Sequence, residues 1–174
     1  MKLKKLRLLT AMAVMIVFVA SSTVASAAVW SLAATLDGLQ ETPPNGSPGS
    51  GFASLTLDDV SGLVTVTSGS FFGLVAPASA AHIHGPAPVG VAAGVLIGLS
   101  VPPATSGPIS GSGTLSAPNV SAMLGGLTYV NIHSSAFPGG EIRGQITTVP
   151  EPSTLAMAGL GLGALLWRAR RKQG

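Results

Sequence analysis

Three short segments hold most of the side chains capable of chemistry: His82-Ile83-His84, Asn131-Ile132-His133 and Glu141-Ile142-Arg143. Each places an isoleucine between two polar residues. In an extended strand, successive side chains leave on opposite faces. If Ile83, Ile132 and Ile142 point into a core, six polar groups leave the other way, among them every histidine of the chain. Two chemistries fit such a polar wall. One is a structural network of Asn131, Glu141 and Arg143, with Arg143 paired to Glu141 or stacked on a histidine. The other is a copper or zinc site, because His-x-His on a strand presents two imidazoles on one side, with His133 as a third ligand. A shared ion needs the ring nitrogens within about 8 Å of one another, since metal–nitrogen bonds are near 2 Å. It also needs the strand at 81–84 to lie near the strand at 127–133.

Other catalytic arrangements are thin. No serine sits in a Gly-x-Ser-x-Gly elbow. Asp58-Asp59 falls in a predicted turn and reads as turn chemistry. Asn45-Gly46-Ser47 and Asn119-Val120-Ser121 are glycosylation sequons in form alone. The expectation is a non-enzymatic protein.

The elements that must position these residues are short. Trp30, Leu32, Ala34 and Leu36 alternate on one face of an opening strand. "ETPPNGSPGSG" (41–51) is dense in turn formers and reads as a loop. "FASLTLDD" and "LVTVTSGSF" flank "DDVSG" as a hairpin, with Ala53, Leu55 and Leu57 on one face and Val64 and Val66 on one face of the partner. "GVLIGLS" (94–100) is another strand, and "VPPATSGPISGSG" reads as loop. "PNVSAMLGG" (118–126) fits one short helix, capped by Asn119 and stopped by Gly125. "LTYVNIH" and "EIRGQITT" are closing strands joined by "SSAFPGG". Short alternating runs without a long amphipathic helix predict an all-β fold, an antiparallel β-sandwich or Greek-key-like barrel.

The ends differ from this middle. Lys2, Lys4, Lys5 and Arg7 precede the apolar run Leu8 to Ala20 and the small-residue site Ala25-Ser26-Ala27. That is the form of a secretory signal peptide over 1–27, the substrate of a signal peptidase. At the other end, Pro150-Glu151-Pro152 precedes a short apolar stretch, then Trp167, Arg168, Arg170, Arg171 and Lys172. The stretch has the character of a short transmembrane helix with a positive cytoplasmic end, a transient membrane anchor. Between them lies a domain over 28–149. It carries Asp37, Glu41, Asp58, Asp59 and Glu141 against Arg143 alone, a net charge of −4. Such a domain has almost no cations to neutralise phosphate, so a nucleic-acid partner is excluded. Cysteine is absent, so the exported domain relies on its core rather than on disulfides.

"VPEP…LLWRARR" over 150–174 resembles the PEP-CTERM sorting signal. The resemblance implies a Gram-negative bacterium, an exosortase that removes the tail, and a cell-surface or extracellular product. It further implies partners in the exopolysaccharide, biofilm or extracellular-matrix setting, including surface proteins. "LDGLQETPP", "AAHIHGPA" and "YVNIHSSAFPGGEIRGQI" together resemble the CHRD domain, over about residues 30–148. That family is a β-rich extracellular module, so the resemblance implies a secreted or surface-associated module. A weaker resemblance is to the copper-zinc superoxide dismutases, which are Greek-key barrels with a His-x-His strand. His82 and His84 match that pair, and His133 matches a later copper ligand. The match then departs: the chain has no fourth histidine for the bridging and zinc positions and no cysteine. What it implies is simple copper or zinc binding, not dismutase activity.

Overall fold

The computed structural model describes residues 28–150 and Leu160. The expected signal peptide lies outside the described residues. So do Glu151, Pro152, Arg168, Arg170 and Arg171 of the sorting tail, and no structure is given to them.

Ten strands follow one another: β1 (Val29–Asp37), β2 (Ser50–Asp58), β3 (Leu63–Phe72), β4 (Ala78–His84), β5 (Val95–Leu99), β6 (Gly107–Pro108), β7 (Ser112–Thr114), β8 (Tyr129–Ser134), β9 (Ile142–Gln145) and β10 (Thr147–Thr148). A 3-10 turn (Gly38–Gln40) follows β1, and within residues 28–150 one helix, α1 (Ala117–Leu124), precedes β8. Among the described residues no helix is long and apolar enough to cross a membrane.

All strands join one antiparallel sheet of order β5-β4-β8-β9-β1-β2-β3-β6, with β10 added to β1 and β7 to β3. The sheet curls until its ends approach. Ser100 bridges Ser110, and Ile97 of β5 packs against the backbone at Gly113 of β7. Curling is the expected response of a twisted sheet this wide, and it brings one face inside. The fold is the all-β class the sequence predicts.

The inner face is the alternating apolar set. Leu32, Ala34 and Leu36 of β1, Ala53, Leu55 and Leu57 of β2, and Ile83, Ile97, Val130, Ile132, Ile142 and Ile146 form one buried cluster. Trp30 has the same phase as Leu32 but lies at the sheet's end, 40% exposed, where its indole N–H donates to Asp59. In β3 the phase changes. Val64 is buried, Val66 half-buried, and further along it is Phe71 that fills the core. A bulge between Ser54 and Leu55 shifts the β2–β3 register there, and one extra residue exchanges the faces. The β2–β3 turn is a helix-like loop in which Asp58 accepts from the N–H groups of Val60 and Ser61, as its turn role predicts.

Two expectations need correction. The helix starts at Ala117, and its N-cap is Ser116 rather than Asn119. Pro118 in the first turn explains the shift, because proline is pre-set for that turn and gives up an N–H that would be unpaired there. Gly125 is the C-cap, as expected. Second, "VPPATSGPISGSG" is not all loop. It contributes β6 and β7, two- and three-residue edge strands.

Candidate metal centre

β4, β8 and β9 are neighbours in the sheet, and their registers align the polar residues in rows. His82 faces Asn131, which faces Arg143. His84 faces Tyr129, which faces Gln145. Ile83, Ile132 and Ile142 are fully buried on the inner face, so the polar side chains leave on the outer face. That face is not open to solvent. The segments at 38–49 and 85–94 fold across it and leave His84, Asn131, Glu141 and Arg143 buried. These segments satisfy the wall with their own groups: Arg143 donates to Thr42 Oγ1 and to the Pro88 carbonyl, and Gln145 donates to the Ala87 carbonyl.

The three histidines converge at one corner of the wall. One ring nitrogen from each of His82, His84 and His133 lies within 4.8 Å of the others. Ring centroids are 5.1 Å apart for His82–His133, 5.4 Å for His82–His84 and 5.9 Å for His84–His133. His84 Nδ1 is 2.9 Å from the Ala93 carbonyl and His133 Nδ1 is 3.0 Å from the Pro138 carbonyl. A carbonyl only accepts, so both rings carry their hydrogen on Nδ1 and turn the Nε2 lone pair inward. His82 Nδ1 lies 3.2 Å from His133 Nε2. His84 Nε2 is buried with no hydrogen-bond partner. Burial pushes the pKa of His82 below the ordinary histidine value, with the His133 charge acting in the same sense. Burial does the same at His84, opposed by the Ala93 carbonyl and reinforced by His82, His133 and Arg143. The neutral, lone-pair-bearing form is thereby favoured at both.

Tyr129 stands between this corner and the only base of the domain. Its ring lies against His84, nearly parallel at 4°, and Arg143 Cζ sits 3.4 Å from its centroid. β8 runs between β4 and β9, so the two partners flank the ring from opposite sides. This is a cation–π contact. It corrects the expectation that Arg143 pairs with Glu141 or stacks on histidine. The Tyr129 hydroxyl also accepts from the Ala93 N–H, fixing the segment whose carbonyl holds His84.

The expected network of Asn131, Glu141 and Arg143 divides into separate partnerships. Asn131 donates to Glu41. Glu141 accepts from Ser47 Oγ and the Val75 N–H. It is held there because the strand starts at Ile142 and Glu141 is already turned toward the 41–49 segment. Burial raises the Glu41 pKa, against the lowering effects of Asn131, the Thr42 backbone and Arg143. Gly140 lets the two side chains meet: a Cβ there would lie 2.6 Å from both Asn131 Nδ2 and Glu41 Oε1. An open cleft of about 360 Å³ adjoins them, between 41–45 and 136–140.

Compared with known families, residues 32–146 match the model of the CHRD domain. The chain belongs to the CHRD domain family. Residues 148–172 match the PEP-CTERM protein-sorting motif. Together the two matches make this a secreted, exosortase-sorted CHRD protein with a cell-surface or extracellular destination. No curated protein matches the chain. His82, His84, Asn131, His133, Glu141 and Arg143 all fall inside the CHRD match, whereas Pro150 and the residues after it fall in the sorting motif.

The CHRD wall also uses residues that the sequence pattern did not single out: Glu41, Tyr129, Gln145 and the carbonyls of Ala93 and Pro138. Tyr129 was readable, since it shares the phase of Asn131 and His133 in β8. Glu41 and the carbonyls belong to loops, whose path over the sheet has no periodic signature.

Proposed function

We propose that this CHRD domain is a non-enzymatic metal-binding module of the cell exterior. His82, His84 and His133 hold one copper or zinc ion. The observation that carries the reading is the orientation of the rings. Two of the three give their outer N–H to a backbone carbonyl and direct Nε2 inward, the arrangement that fixes tautomer and direction in metal-ligating histidines. His84 Nε2 is buried without a partner, which costs about 1–3 kcal/mol unless something accepts its lone pair. An ion does so. His82 Nδ1 lies beside His133 Nε2, and it becomes a ligand by carrying its hydrogen on Nε2 instead. A binding role rather than catalysis is supported by the use of all three histidines in one cluster, which leaves no imidazole to activate a hydroxyl nucleophile elsewhere. The setting we propose is the exopolysaccharide and surface proteins that the resemblance of the tail to the sorting signal implies.

The test is metal analysis of the exported protein after equilibration with copper and with zinc, beside His84→Ala. One ion per chain, lost in the variant, is the expected result. Equal metal content in both proteins, or none in either, overturns the reading.

A further inference from the structure

We infer that the three-histidine cluster selects monovalent copper, Cu(I), over Cu(II) and Zn(II). This rests on the metal-binding reading above and adds the identity and charge of the ion.

Charge is the first argument. The converging donors are three imidazoles, with no carboxylate or thiolate in the group. Glu41, a carboxylate of the same wall, is engaged by Asn131. The amide of Asn131 is turned to Gly140, with both its heteroatoms close to that backbone. On the other side stands the buried Arg143 cation, one aromatic ring away from His84. An ion bound here therefore keeps its full charge, partly removed from water and beside a like charge. The desolvation penalty scales with the square of the charge, so a divalent ion meets about four times the penalty of a monovalent one. Its repulsion by Arg143 is about doubled.

Geometry is the second argument. The group offers three ring nitrogens within 4.8 Å of one another, and among the described residues no fourth ligating side chain joins them. Cu(II) favours a tetragonal array, and zinc takes four ligands, so on three histidines it must recruit a water as the fourth. Cu(I) has a filled d shell, imposes no such array, and is satisfied by three neutral nitrogens. His84 and His133 are each tied at Nδ1, so the cluster is not free to open into a square plane. Bound copper would thus be held in its reduced form.

The experiment is anaerobic titration of the purified exported protein with Cu(I), in competition with the chromogenic chelator bicinchoninate. Parallel titrations use Cu(II) and Zn(II). The expected result is one Cu(I) per chain, bound at least about 100-fold more tightly than either divalent ion. His82→Gln, at a half-exposed position, should abolish that preference. Arg143→Gln should narrow the Cu(I)-to-Cu(II) affinity ratio by about tenfold, and Arg143→Lys should restore it. The ratio responds to charge and not to general loosening. Zn(II) or Cu(II) bound as tightly as Cu(I) overturns the choice of ion and leaves the three-histidine site standing. Binding of none of the three overturns both.

Discussion

The Tyr129 ring lies 5.0 Å from the His84 ring and almost parallel to it, while its hydroxyl accepts the N–H of Ala93. Ala93 in turn accepts His84 Nδ1–H through its carbonyl. One tyrosine therefore supports a candidate ligand twice, by stacking and through the segment that orients it. Tyr129→Phe keeps the stack and removes the hydroxyl. We expect a stability loss of about 1 kcal/mol and a fall in metal affinity of about tenfold, the low end for an outer-shell partner. Denaturant melts with parallel metal titrations check this. Unchanged affinity would show that the Ala93 carbonyl is held without the hydroxyl.

His82 and His84 predict a pH response. Burial holds both pKa values below the ordinary one, so the unfolded chain binds more protons below about pH 6.5. Their contribution to stability is complete above that pH and is lost as pH falls through the depressed folded values. The unfolding midpoint should drop between pH 7 and pH 5, and the drop should shrink in His84→Gln. A midpoint equally pH-sensitive in the variant would assign the response elsewhere. Metal affinity should fall in the same direction, because protons compete for the lone pairs.

Glu41 acts with the opposite sign. Its pKa is raised by burial, so the folded state holds the proton more tightly than the unfolded one. That contribution is present below about pH 4.5 and is lost as pH rises through the folded value. Glu41→Gln keeps an acceptor for Asn131 and removes the buried charge. It should raise the unfolding midpoint at pH 7 relative to the wild type, with little difference at pH 4. A lower midpoint at pH 7 would mean that Arg143 compensates the carboxylate fully.

Gly140 is predicted to resist substitution. It has a φ of 138°, and a Cβ would lie 2.6 Å from two polar atoms of the Asn131–Glu41 pair. Gly140→Ala should therefore cost more than the roughly 1 kcal/mol of an ordinary backbone penalty. The nearby Gly139, where a Cβ meets nothing within 4 Å, is the control. Equal melting temperatures for the two variants would contradict the reading of this contact.

The signal-peptide form of residues 1–27 and the sorting motif at the other end predict the mature ends. The native extracellular form should begin near Ala28 and end near Pro150. Intact-mass spectrometry reads this directly, and a mass that retains Arg168 to Lys172 would exclude removal of the tail.

The alternation of polar residues around Ile83, Ile132 and Ile142 was legible because a strand has a period of two and a buried isoleucine fixes the phase. The same rule placed Leu32, Ala34 and Leu36 inside. Pairing of β4 with β8 was not legible, since strands about fifty residues apart meet only through the curl of the whole sheet. Local rules also did not reveal the covering of the wall. The 38–49 and 85–94 segments look like solvent-exposed turns in composition, and it takes their hydrogen bonds to Arg143, Gln145 and His84 to show them as a lid over polar groups. The β3 phase change escaped because a bulge leaves no mark in residue types alone.

The last strand has a mechanical consequence. β10 meets β1 through only two residue pairs, Thr148 with Leu32 and Thr147 with Ala33, and the Val149 N–H adds a bond to Ser31. While the tail is tethered, tension on it would load these contacts one after another, as a zipper opens, rather than all together. Peeling would stop at Ile146, whose side chain is fully buried in the core. In a form held by its tail, the two pairs of β10 would therefore give way before Ile146 and before the histidine corner.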